Sequence, residues 1–226
     1  MELNPIQTLA IYALPVIFAI TLHEAAHGYV ARYFGDNTAW QLGRVSLNPV
    51  RHIDPVGTII VPLAMLMLGR LLGGGIPLFG WAKPVPVNFG ALRHPKADML
   101  WVALAGPAAN LIMALGWAVL FKLALVAPHN FFSYPLGLMS DAGIQINIWI
   151  MALNLLPIPP LDGGRIVTSL LPMKAAIRFA SIERYGFIIL LALIAMPGIL
   201  HVDLLQAVLV PPVSYSINLI GYLFQI

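Results

Sequence analysis

The stretch PIQTLAIYALPVIFAITLHEAAHGYVA, Pro5–Ala31, decides how the rest of the chain is read. Ile6 to Leu22 is almost wholly apolar, and the helical pattern continues through Tyr33. A membrane-crossing helix needs about 20 such residues at 1.5 Å each. Yet this one carries His23, Glu24 and His27. Ionisable groups at membrane depth are costly and usually serve a function. Histidines four apart share one helical face, where both can reach one metal ion. A glutamate beside the first can take a proton from water activated by that ion. The pentapeptide HEAAH therefore points to zinc hydrolase chemistry inside a bilayer.

Composition supports the membrane reading. Of 226 residues, 60% are hydrophobic and 9% charged, whereas soluble domains carry roughly 25% charged residues. The expected fold is an all-α polytopic membrane protein. It reads as one domain over residues 1–226, with a catalytic core at about 5–172 and additional helices at 185–224. The net charge of +3 forms no basic patch, so nucleic acid is not an expected partner. There is no cysteine. Disulfides and thiolate ligands are excluded, and any metal must be held by His, Asp or Glu.

Apolar runs of spanning length fall at Pro5–Ala31, Met99–Val126, Gly143–Leu156, Tyr185–Leu200 and Leu204–Phe224. Val56–Leu72 is borderline at 17 residues, and Gly73, Gly74, Gly75 and Pro77 follow it. In Lys83-Pro84-Val85-Pro86-Val87-Asn88 the alternating prolines enforce an extended segment. If the borderline run enters and returns, Lys122 alone among the basic residues lies on one side. If it crosses, the basic residues split four against eight. The positive-inside rule favours the first arrangement. About five transmembrane helices are expected, plus a re-entrant helix and extended segment at about Val56–Phe89. The N-terminus is expected outside and the C-terminus inside. The histidine pair and Asn154–Asp162 then share the inner side, where they can share a metal.

Catalytic zinc usually has three protein ligands and an open position. Most other carboxylates, Asp36 and Asp98 among them, fall at span ends or loops, where solvation accounts for them. His52, His94, His129 and His201 read as interfacial. Asp162 differs, because it follows three prolines and precedes Gly163 and Gly164. That loop can turn tightly and bring a carboxylate close to another helix. His23, His27 and Asp162 are the expected ligands of a buried site for one zinc ion per chain. Glu24 is the expected general base. Asn154 can donate to the oxyanion of an acyl-transfer step, or it can cap backbone broken by the prolines. Asn110, in Gly106-Pro-Ala-Ala-Asn110, reads first as a helix-packing residue among small neighbours.

HEAAH, GWAKPVPVN at Gly80–Asn88, GPAAN at Gly106–Asn110 and NLLPIPPLDGGR at Asn154–Arg165 occur in this order. Together they resemble the site-2 proteases, the intramembrane zinc metalloproteases. The resemblance covers roughly Thr21–Arg165 and fits a short form without a PDZ-type domain. It implies His23, His27 and Asp162 as zinc ligands, Glu24 as catalytic base and Asn154 near the scissile carbonyl. It also implies membrane-anchored protein substrates, with an unwound substrate pairing along Pro84–Asn88. The implied location is a prokaryotic cell membrane, with the active site toward the cytoplasm. A membrane metal-ion transporter is the alternative. Carriers spread their ligands over several spans and usually carry a His-rich loop, which is not seen here. Substrate identity and oligomeric state are not readable.

Overall fold

The computed structural model describes residues 4–61, 63, 64, 67, 82–127, 132–200 and 203–226. Helix α1, Pro5–Tyr33, begins at a strong start signal. Asn4 Oδ1 accepts from the Gln7 N–H at 2.8 Å, Gln7 Oε1 accepts from the Asn4 N–H at 2.9 Å, and Pro5 takes the first helical position. This reciprocal box satisfies two N–H groups that a helix start leaves open. The chain turns away at Gly35, whose φ of +110° suits glycine.

A short helix, α2, spans Thr38–Gln41. It is followed by α3 (Pro95–Val126), α4 (Ser133–Asn154), α5 (Asp162–Leu170), α6 (Met173–Ala180), α7 (Glu183–Leu200) and α8 (Leu204–Phe224). Among the described residues there is no strand. Four helices are long and apolar enough to cross a membrane: α1, α3, α4 and α8. The other apolar run, Tyr185–Leu200, falls in α7. Prolines 15, 107, 211 and 212 sit inside these spans. Membrane helices tolerate them because neighbouring helices and local adjustments satisfy the freed backbone groups.

Helices α1, α3 and α4 pack on one another, and α8 covers α3 and α4. Ala114, Trp117 and Ala118 of α3, Ile144 and Ile148 of α4, and Val213 and Ile220 of α8 form the main buried cluster. Ala114 and Ala118 are small, so α3 can approach its neighbours closely.

One expectation is corrected at the C-terminus. Lys122, near the end of α3, donates to the Gln225 carbonyl at 2.9 Å. The end of α8 therefore lies at the end of α3 remote from the histidine pair. The start of α1 lies there too, since Ala19 pairs with Asn110 while Phe18 and Leu22 face Met113 and Trp117. Both chain ends share one end of the bundle, where the charge count had put them at opposite ends. No lysine or arginine follows Arg184, so the positive-inside rule had nothing to act on beyond α7.

Much of Val56–Phe89 lies outside the described residues. The chain just before it nevertheless meets its later part, because the Lys83 N–H donates to the His52 carbonyl at 2.9 Å. Residues 82–88 form no helix, turn or strand, and Asn88 at their end is extended (φ −95°, ψ 93°). Arg44 Nη2 donates to the Lys83 and Pro84 carbonyls at 2.9 and 3.3 Å. Asp36 accepts from the Asn88 N–H at 2.7 Å and from the Thr38 N–H at 2.8 Å. Asp36 is thus 1% exposed and bonded to backbone, not held at the surface by solvation. Asp98 and His52 are corrected in the same way. Both are buried, Asp98 on the His94 N–H and His52 on the Ser46 carbonyl.

Candidate metal centre

Helix α1 presents His23 and His27 one turn apart, both buried. Facing them is Asp162, the first residue of α5 and also buried. The chain reaches this position through a tight return after α4. A Cβ on Gly163 would stand 2.3 Å from the Leu155 carbonyl oxygen, and one on Gly164 would stand 2.4 Å from the Pro159 nitrogen. Those distances admit only glycine, and they let α5 begin against the loop with its first carboxylate aimed at α1.

The three atoms that could hold a metal ion form a nearly regular triangle. His23 Nε2 and His27 Nε2 are 3.2 Å apart, and each is 3.2 Å from Asp162 Oδ2. A tetrahedral zinc ion with ligand bonds of 2.0–2.2 Å has edges of about 3.3 Å. Asp162 Oδ2 has no hydrogen-bond donor among the described residues, and a buried carboxylate oxygen needs a partner.

The other ring nitrogens fix the tautomers. His27 Nδ1 lies 2.7 Å from the Val102 carbonyl oxygen, which can only accept. His27 Nδ1 therefore carries a proton, and in the neutral ring Nε2 offers a lone pair. His23 Nδ1 lies 2.6 Å from Asn110 Oδ1. The Asn110 amide is oriented by its nitrogen, which donates to the Ala19 carbonyl at 3.3 Å and to Asn147 Oδ1 at 3.0 Å. His23 is thereby set with its Nδ1–H toward Asn110 and its Nε2 lone pair inward. Three lone-pair atoms then converge with no donor between them, as a cation site requires. Outer partners of this kind orient metal-ligating histidines.

Asn110 is thus more than a packing residue, and Asn147 was missed in the sequence. Both are fully buried, and Asn147 Nδ2 donates to the Gly143 carbonyl at 2.8 Å. The signal available for Asn147 was an amide in the middle of an apolar run, which must find partners. Gly106 was also read only for packing. A Cβ there would stand 2.4 Å from His27 Nε2 and 2.6 Å from His23 Nε2.

Glu24 lies beside the triangle and not in it. Its Oε2 accepts from the Val85 N–H at 2.7 Å, which ties the extended segment to α1 at the level of the histidines. Among the described residues, Asn154 makes no hydrogen bond to His23, His27 or Asp162. Its amide donates to the Ile150 carbonyl one turn back in α4, at 3.0 Å. Arg165 faces Glu183 at 4.0 Å and stands 5.5 Å from the Phe89 ring centroid.

A family model described as Peptidase family M50 matches residues 138–197. The Bacillus subtilis protein named "Putative zinc metalloprotease YwhC" is 37% identical over 196 residues, which are 85% of this chain and 84% of that protein. Two mycobacterial proteins, each named "Putative zinc metalloprotease Rip2", also match. The Mycolicibacterium smegmatis one is 27% identical over 87% of this chain and 72% of its own length. The Mycobacterium tuberculosis one is 30% identical over 80% and 65%. No solved structure matches the chain. The metal-ion transporter reading finds no support, since the ligand atoms gather in one buried cluster and the relatives carry protease names. A likeness that spans five-sixths of a relative, over a bundle that closes around a zinc-type donor set, makes this chain a member of peptidase family M50, the site-2 protease family of intramembrane zinc metalloproteases.

Proposed function

We propose that His23, His27 and Asp162 hold the single zinc ion and that Glu24 is the general base of peptide hydrolysis. The observation that carries this is the buried triangle of three lone-pair atoms with a carboxylate beside it. A bound zinc ion supplies Lewis acidity, polarising the scissile carbonyl and lowering the pKa of water. Glu24 takes the proton from the attacking water and passes it to the leaving amine. The Val85 N–H fixes one carboxylate oxygen of Glu24 and leaves the other to move the proton. Asn154 turns its amide from the Ile150 carbonyl toward the developing oxyanion when substrate is bound.

The substrates are membrane-anchored proteins, unwound beside residues 82–88. Among the described residues, Val87 keeps its N–H and carbonyl free of the bonds that pin Lys83, Val85 and Asn88, so a substrate strand would pair there. The residues named form one metalloprotease domain, with its core at about 5–172. Among the described residues, Arg32, Arg44, Lys83, Lys96 and Arg165 lie toward the histidine end, which supports a cytoplasm-facing site in a prokaryotic cell membrane.

The test is reconstitution with a membrane-anchored test substrate, comparing wild type with Glu24→Gln. Cleavage is expected to fall by about a hundred- to ten-thousand-fold while zinc content is unchanged. Undiminished cleavage by Glu24→Gln would remove Glu24 from the chemistry. Metal flux without cleavage in the wild type would restore the carrier reading.

A further inference from the structure

Helix α6 stands apart from the spans in what it exposes. Elsewhere the exposed helical surface is mainly apolar, as expected against lipid. On α6 two ridges run side by side. Met173 and Ile177, 63% and 64% exposed, form one. Lys174 and Arg178, both exposed, form the other. At about 100° per residue, the order around the helix is Ala176, then Met173 and Ile177, then Lys174 and Arg178. Ala176 is buried against the protein. The apolar ridge thus lies between the protein and the basic ridge. Leu170, at the end of α5, extends the apolar ridge at 67% exposure.

Location fixes what this face meets. Lys96, in the first turn of α3, donates to the Leu171 carbonyl at the junction of α5 and α6. That turn is where α3 leaves the bilayer at the histidine end. The level of the proposed metal ligands, at Gly106, lies about 15 Å along α3 from Lys96. Helix α6 is therefore held at the membrane surface by its neighbour in sequence. Among the described residues, Lys174, Arg178 and Arg184 make no ion pair. Glu183, the one acidic residue in 163–184, already faces Arg165.

The geometry points to α6 as a docking face for anionic lipid headgroups of the leaflet at the histidine end. Met173, Ile177 and Leu170 dip into the acyl boundary, and Lys174, Arg178 and Arg184 bind the phosphates above it. Because α5 carries Asp162 at one end and α6 at the other, the contact anchors the element that supplies the carboxylate. The inference needs the membrane embedding and not the catalytic roles.

The chain has no cysteine, so a single Ile177→Cys can carry an environment-sensitive fluorophore in vesicles. Spin-labelled phosphatidylglycerol and spin-labelled phosphatidylcholine are compared as quenchers at equal mole fraction. The expected result is quenching near headgroup depth, stronger with phosphatidylglycerol by about fivefold for each basic side chain engaged. Lys174→Gln with Arg178→Gln, and high salt, should bring the two quenchers together. A fluorophore in water whatever the lipid would assign the face to a soluble acidic partner and overturn the proposal. Equal quenching by both lipids in the wild type would reduce it to plain apolar contact and overturn it as well. The readout is lipid contact, so its failure leaves the protease reading untouched.

Discussion

At His23 and His27 the nitrogens facing away from the cluster determine what the inward ones can do. Val102 and Asn110 accept the Nδ1 protons, so both Nε2 lone pairs point to one place. Gly106 makes room for them, because any larger residue would put a carbon far inside van der Waals contact of both rings. Gly106→Ala is therefore expected to abolish stoichiometric zinc binding while the bundle keeps its helix content; zinc analysis and circular dichroism of the purified variant check this. The histidine pair and Asp162 were legible in the sequence, since helical spacing and a proline–glycine turn constrain where those side chains go. Gly106 was not. The sequence shows a small residue that permits close packing, but not which side chains from α1 come close.

Each element is positioned by polar links that cross the apolar core. A chain of amides runs from the Gly143 carbonyl through Asn147 and Asn110 to His23, joining α4, α3 and α1. Hydrogen-bonded amides in a membrane interior have no water to replace a lost partner. Asn147→Leu leaves every ligand in place and yet frees the Asn110 amide to rotate. Zinc affinity, measured by chelator competition, is expected to weaken by about 10- to 100-fold; unchanged affinity would make Asn147 a packing residue only. That residues 82–88 form no helix was readable from Pro84 and Pro86. Their anchorage was not, because the partners Arg44, Asp36 and Glu24 are distant in sequence, and Asp36 looks like an ordinary loop carboxylate.

On the scale of the whole molecule, α1, α3, α4 and α8 form the apolar scaffold, and the Asn154–Leu170 return brings Asp162 back to the first helix. The all-helical membrane fold was legible from the long apolar runs. The end at which the chain finishes was not, as α8 carries no lysine or arginine to orient it. Single cysteines placed at Asn4 and Gln225 are expected to react with an impermeant maleimide from the same side of oriented vesicles, and labelling from opposite sides would contradict the Lys122–Gln225 contact. The convergence of α1 and α5 on one cation is tested most directly by the zinc content of purified wild type and Asp162→Ala under chelator challenge. One zinc per chain in the wild type, lost in the variant, is the result expected. Full, equally chelator-resistant zinc in Asp162→Ala would contradict the three-ligand centre.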